Sequence, residues 1–129
     1  MIEEADKRVP SGAFYVMDMR KLDFPDDNFD GVYCCASIHH LAREDAPVAL
    51  AEMYRVLHDN SLIFVNVKEG ADESCRMLGT GEIRETFYSQ DEFEGMLKDA
   101  GFDILETQIT GSSTDKNKKR WLSYFCRKR

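Results

Sequence analysis

The 129-residue chain has no run of about 18 apolar side chains, so no segment is built to cross a membrane as a helix. Its first residues, Met1 to Asp6, have neither a basic start nor an apolar stretch, which argues against a secretory signal. Cysteine is sparse and unpatterned. There are four, Cys34, Cys35, Cys75 and Cys126, and none falls in a Cys-x-x-Cys spacing. Cys34 and Cys35 point to opposite faces of any strand and are poorly placed to bond each other. They read as reduced thiols of a cytoplasmic protein. No internal repeat, low-complexity stretch or nucleophile–base triad occurs.

What is present is a chain for one domain, residues 1–129, with 43% hydrophobic residues and a net charge of −7. The charge is uneven. Residues 1–115 hold 24 acids and 10 bases, and residues 116–129 hold 7 bases and no acid. The acidic body argues against a general nucleic-acid binder. The basic end keeps a local version of that idea open, beside the plainer reading of a solvated turn.

Ile2 and Ala5 suggest a short helix to about Arg8, broken by Pro10-Ser11-Gly12. Ala13–Met17 is a continuous apolar run ending at Asp18, which predicts a strand buried on both faces. Pro25-Asp26-Asp27-Asn28 is a turn, and Phe29–Ala36 a second short strand. A helix is predicted over Asp45–Leu57, with Pro47 in its first turn and Leu50, Tyr54 and Leu57 on one stripe. Leu62–Val67 is the clearest buried strand. Glu69–Tyr88 shows little periodicity and reads as a long mobile loop. Ser89-Gln90-Asp91-Glu92 is a capping box, Tyr88 and Phe93 its staple, and Gly101 the left-handed residue that ends the helix. Asp103–Ile109 and Trp121–Cys126 predict a closing hairpin. The alternation predicts an α/β domain whose sheet is mostly parallel and covered on both sides, with an antiparallel carboxyl-terminal hairpin.

These pieces, in this order, resemble a class I S-adenosylmethionine-dependent methyltransferase of the type 11 kind. The residues that carry the likeness are Met17–Pro25, Phe29–Tyr33, Ile38-His39-His40-Leu41, Glu52–Leu57 running into Leu62–Val67, and Lys68-Glu69-Gly70. Tyr88–Phe93, Ala100-Gly101-Phe102 and Trp121-Leu122 complete it. The family's first strand, its glycine-rich turn and its second strand have no counterpart. No Gly-x-Gly-x-Gly pattern occurs, and Asn60-Ser61 replaces the usual Gly-Gly. The expected fold is therefore an incomplete Rossmann-like sheet that starts inside the helix after the second family strand.

The resemblance implies S-adenosyl-L-methionine as cofactor. Asp18 would accept from the adenine amino group and the Met19 N–H would meet a ring nitrogen. Backbone at Cys35, Ala36 and Ser37 would face the methionine part. A turn-stabilising role for Asp18 is the plainer alternative. His39 and His40 keep three readings: metal ligands, substrate or proton handling, and structural packing. Adjacent histidines on a helical turn diverge by about 100°, which disfavours joint chelation, and no metal is expected. Arg84 and Tyr88 are further acceptor-side candidates, against a plain solvated loop face. The acceptor is a small molecule or tRNA, and methyl transfer leans on orientation more than on acid–base groups. An alternative role is a non-catalytic remnant acting by oligomerisation or partner binding. Strands deprived of neighbours expose Phe14, Val16, Val32 and Tyr33. The two repairs open to them are direct pairing, or a homodimer through the exposed sheet edges.

Overall fold

The computed structural model describes residues 7–8, 11–13, 15, 17–71, 73–78, 81–111 and 120–129. From Phe29 on, the described residues form, in order, β1 (Phe29–Cys34), α1 (Ala46–Val56), β2 (Leu57–Glu69), β3 (Glu73–Leu78), β4 (Gly81–Tyr88), α2 (Gln90–Ala100), β5 (Phe102–Thr110) and β6 (Trp121–Lys128). Two 3-10 turns, Ile38–His40 and Arg43–Asp45, join β1 to α1.

α1 carries Pro47 in its first turn and buries Ala46, Ala49, Leu50, Met53 and Val56, a stripe at the three-and-four spacing of an amphipathic helix. It stops where Leu57 turns extended, so β2 starts without a loop. β2 is therefore longer than the apolar core Leu62–Val67, and Asn60 takes a positive φ of 64° within it. α2 is capped as its sequence predicts. Ser89 Oγ accepts from the Glu92 N–H at 3.1 Å, and Gly101 stands at φ 105° beyond the last turn. Tyr88 packs on Phe93 with ring centroids 5.3 Å apart. The second half of the box is not made, because the Glu92 carboxylate pairs with Arg43 instead.

The strand order is β3-β4-β2-β6-β5, with β1 on β2 as well. β1 and β2 are parallel, and β4 joins β2 in parallel only at Lys68–Glu69 against Phe87–Tyr88. The β2–β6, β5–β6 and β3–β4 pairs are antiparallel. The sheet is thus mixed, a correction to the mostly parallel expectation. A parallel pair needs a crossover connection, which α1 supplies between β1 and β2; the β3–β4 and β5–β6 hairpins give antiparallel pairs, and the second hairpin returns β6 antiparallel beside β2.

The expected strand at Ala13–Met17 is not formed at Ala13, Tyr15 or Met17; Phe14 and Val16 lie outside the described residues. A strand needs a hydrogen-bonded neighbour, and none of the described strands pairs with Ala13, Tyr15 or Met17. Lys7 and Arg8 are helical, and the rest of the first expected helix is outside the described residues, as is segment 112–119 of the closing hairpin. The expected loop at 69–88 is a hairpin. Its two strands pair from Glu73 against Thr86 to Leu78 against Gly81; Gly79 and Thr80 lie outside the described residues.

One face of the sheet carries the core. Ile63, Val65, Val67, Leu122, Tyr124 and Cys126 lie under Leu50, Phe93 and Leu97, all at or below 1% exposure. Each large side chain so buried contributes roughly 1.5–3 kcal/mol. The other face corrects the expectation of cover on both sides. Tyr33, Phe64 and Phe125 are cross-strand partners, with successive ring centroids 4.9 Å apart. Tyr33 remains 75% exposed. With Gly31, Leu62 and Leu105 these rings line an open concavity of about 390 Å³. Val32, expected to be exposed, is half-buried against the core instead.

Two substitutions test how α2 is fixed. Ser89→Ala is expected to cost about 1 kcal/mol in urea unfolding. Gly101→Ala is expected to cost more, because its Cβ would stand 2.6 Å from Tyr54 Cε2 at a backbone angle alanine disfavours.

Candidate functional site

The carboxyl rim of β1 and β2 gathers most of the candidate residues. β1 ends at Cys34, which is buried, and the chain then turns sharply at Ala36, a non-glycine residue at φ 55°. Such a conformation persists only where neighbours impose it. Here Asn66 of β2 does so: its Oδ1 accepts from the Ala36 N–H at 2.7 Å, and its Nδ2 meets Cys35 Sγ at 3.6 Å. Ser37 Oγ turns back to donate to the Cys35 carbonyl at 3.0 Å. Asn66 was not singled out from the sequence. Its signal is a single amide inside the apolar run Leu62–Val67.

Asp18 lies in an exposed turn. Its side-chain oxygens take the Arg20 backbone N–H at 2.8 Å and the Arg20 guanidinium at 2.6–3.0 Å. These hydrogen bonds lower its carboxyl to about 2, so it is ionised throughout the neutral range. The segment just after it is held by α1. Glu52 accepts from the Leu22 N–H at 2.7 Å, while Arg55 donates to the carbonyls of Leu22 and Phe24 and to Asp26, all at 2.8 Å. The Glu52–Arg55 pair of the family-like segment thus fixes the loop that carries Asp18. Met19 packs partly against the core.

On the acceptor side, the two histidines part. His39 is 2% exposed, edge-on to Trp121 at 5.3 Å, and its Nδ1 has no hydrogen-bond partner among the described residues. Burial, then the nearby His40 and Lys68, push its imidazole down to about 4, against the opposing pull of Glu85. It is a neutral packing residue. His40 is exposed, and its Nδ1 lies 3.0 Å from the Arg84 carbonyl. A carbonyl only accepts, so the neutral ring carries its proton on Nδ1 and keeps a lone pair on Nε2.

Arg84 itself is exposed, on β4, whereas Tyr88 is fully buried in the core beneath Arg43, away from any acceptor surface. The hairpin is pinned over this rim. Thr86 Oγ1 donates to the Leu41 carbonyl at 2.6 Å, and Arg43 to the Phe87 carbonyl at 2.7 Å. Lys68 pairs with Glu85 at 3.1 Å, and Arg120 holds Glu69 with both nitrogens at 2.7 and 2.8 Å. Among the contacts described, none joins the Asp18 turn to the Cys35–Ser37 turn. No helix among the described residues is long and apolar enough to cross a membrane.

A family model described as a methyltransferase domain matches residues 1–65, just over half of the chain. The chain belongs to that family. Its fold agrees with the class I, S-adenosylmethionine-dependent members. A SAM-dependent methyltransferase from Methanosarcina mazei superposes with a TM-score of 0.83 at 15% identity, over 98% of this chain and 76% of that one. The 1,6-didemethyltoxoflavin-N1-methyltransferase of Burkholderia thailandensis, solved with S-adenosylhomocysteine, gives 0.74 at 19%, over 98% and 55%. The cyclase SpnF gives 0.76 at 19%, over 98% and 61%. The chain thus spans less than two thirds of two of these three. No curated protein matches it.

The family's cofactor is S-adenosylmethionine, and the rim suits one end of it. Asp18 is an ionised acceptor of the kind an exocyclic amino group needs. At the other end Ala36 N–H and Ser37 Oγ are already turned inward, to Asn66 and Cys35. No side chain of Cys35, Ala36 or Ser37 carries a charge that would hold an amino acid.

The buried His39 makes stability depend on pH. Between pH 6.5 and about 4 the unfolded chain takes up a proton at this imidazole that the folded chain refuses. Stability is therefore expected to be full above pH 6.5 and to fall as pH drops toward 4, by about 3 kcal/mol at most. Urea unfolding of His39→Phe beside the parent chain, across that window, should show the slope lost from the variant.

Proposed function

We propose that the chain serves S-adenosylmethionine-dependent methyl transfer to a small-molecule or tRNA acceptor. The observation that carries this reading is the methyltransferase-domain match over residues 1–65, which includes Asp18, Met19, Cys35, Ala36, Ser37, His39 and His40. When bound, the cofactor supplies a methyl group made electrophilic by its sulfonium. Asp18 accepts from the adenine amino group and the Met19 N–H meets a ring nitrogen. The Cys35–Ser37 backbone, set by Asn66, borders the methionine part. His40 and Arg84 border the acceptor, and His40 Nε2 takes the proton of an acceptor that arrives un-ionised. The rest of the work is orientation at short range, which the pinned hairpin supports.

Isothermal titration of the chain with S-adenosylhomocysteine tests the reading. Binding is expected, and Asp18→Asn is expected to weaken it about tenfold, the cost of one charge-assisted hydrogen bond. No heat at millimolar ligand would sink it.

A second reading, association through the open sheet, is favoured by the uncovered Tyr33–Phe64–Phe125 row. The outer edge of β1 also has no strand partner among the described residues. Sedimentation at high micromolar concentration should then report a homodimer that Tyr33→Ser with Phe125→Ser returns to monomer. A monomeric parent chain removes this reading.

A further inference from the structure

We propose that Arg20 gates adenine recognition at Asp18, with Asp45 as the place to which its guanidinium withdraws. The inference rests on the reading above, in which Asp18 takes the adenine amino group.

A carboxylate offers about four lone-pair directions. At Asp18 three N–H donors of Arg20 make four contacts, and both oxygens are engaged. Oδ1 receives the Arg20 backbone N–H at 2.8 Å and Nε at 3.0 Å; Oδ2 receives Nε at 3.0 Å and NH2 at 2.6 Å. A neutral amino group arriving at Asp18 therefore meets a carboxylate whose two oxygens already face the Arg20 fork. It has to displace a charge-assisted fork, a stronger contact than the one it would make. The displacement has a built-in outlet. Arg20 NH1 already lies 3.3 Å from Asp45 Oδ2, just ahead of α1, and Asp45 is less exposed than Asp18, 31% against 47%. The guanidinium keeps a carboxylate partner when it leaves Asp18. The backbone bond from Arg20 N to Oδ1 does not depend on the side chain, so the turn survives the exchange.

Arg20 also changes which base is preferred. Asp18 alone favours a base with an amino donor. A purine with a carbonyl at that place would be repelled by Asp18 but could accept from Arg20. Arg20 thus blunts selection for adenine, and its removal sharpens it.

Titration of the full chain with S-adenosylhomocysteine and with its inosine analogue reads both effects. Arg20→Gln is expected to bind S-adenosylhomocysteine about fivefold tighter, the worth of one well-formed exposed ion pair, and the inosine analogue no tighter. Asp45→Asn, which weakens the outlet, is expected to bind S-adenosylhomocysteine about threefold more weakly, an effect that vanishes when Arg20→Gln is also present. Thermal melts of each variant verify that the fold is kept. Affinity unchanged or lowered in Arg20→Gln overturns the proposal, as does an Asp45→Asn effect that persists without Arg20. If the parent chain binds and Asp18→Asn does not while Arg20→Gln equals the parent, only the gate falls and the reading of Asp18 stands. If neither the parent nor a well-folded Arg20→Gln binds, both fall.

Discussion

The strand Leu57–Glu69 is the constraint from which the rest of the structure follows. It pairs with β1 on one side and β6 on the other, and its last two residues also hold β4. Ile63, Val65 and Val67 on one face anchor the core under both helices, while Phe64 on the other joins the open aromatic row. The same strand supplies the rim with Asn66, Lys68 and Glu69. A polar residue in the middle of a buried strand is costly unless its bonds are made. Asn66 meets that condition by holding the strained turn at Ala36. Core and candidate site are thus alternate residues of one strand.

The two ends of the candidate site are held with different strength. On the acceptor side, β4 is tied to the 3-10 turns and to β2 by bonds from Thr86, Arg43 and Lys68, most of them partly buried. On the Asp18 side the holding groups are Glu52 and Arg55, which fix the loop four to eight residues further on, and the half-exposed Arg20. Exposed ion pairs are weak and rearrange at small cost. That difference suits a site in which one wall is fixed and the other changes partners.

Much of the fold was legible in the sequence wherever local chemistry decides the outcome. Ser89 and Gly101 mark the ends of α2 because an orphan N–H and a left-handed residue are needed there whatever packs nearby. The apolar runs Leu62–Val67 and Trp121–Cys126 are strands because nothing else buries both kinds of neighbour. The hairpin at Glu73–Tyr88 was not legible, since its buried positions include Glu85 and Thr86. Their polarity reads as loop, yet Lys68 and the Leu41 carbonyl satisfy them. Ala13, Tyr15 and Met17 of the run Ala13–Met17 show the opposite case, an apolar pattern outside any described strand, because a strand is a pairing and not a pattern. For the site, Asp18 and the Cys35–Ser37 turn were visible through family resemblance, whereas Asn66, Arg20 and Asp45 are defined by contacts up to 30 residues apart in sequence. No local motif encodes those.

The cyclase among the structural matches limits what the fold alone can say. Three proteins of one architecture, none more than 19% identical to this chain, include two named methyltransferases and one named cyclase. The sheet places a rim; the side chains on it decide the reaction. The candidate residues here are an ionised Asp18, a neutral buried His39 and a His40 oriented by the Arg84 carbonyl, beside a hairpin tied to β2 through Lys68 and Glu85. A chemistry in which the electrophile brings its own driving force, as a sulfonium does, asks least of side chains like these.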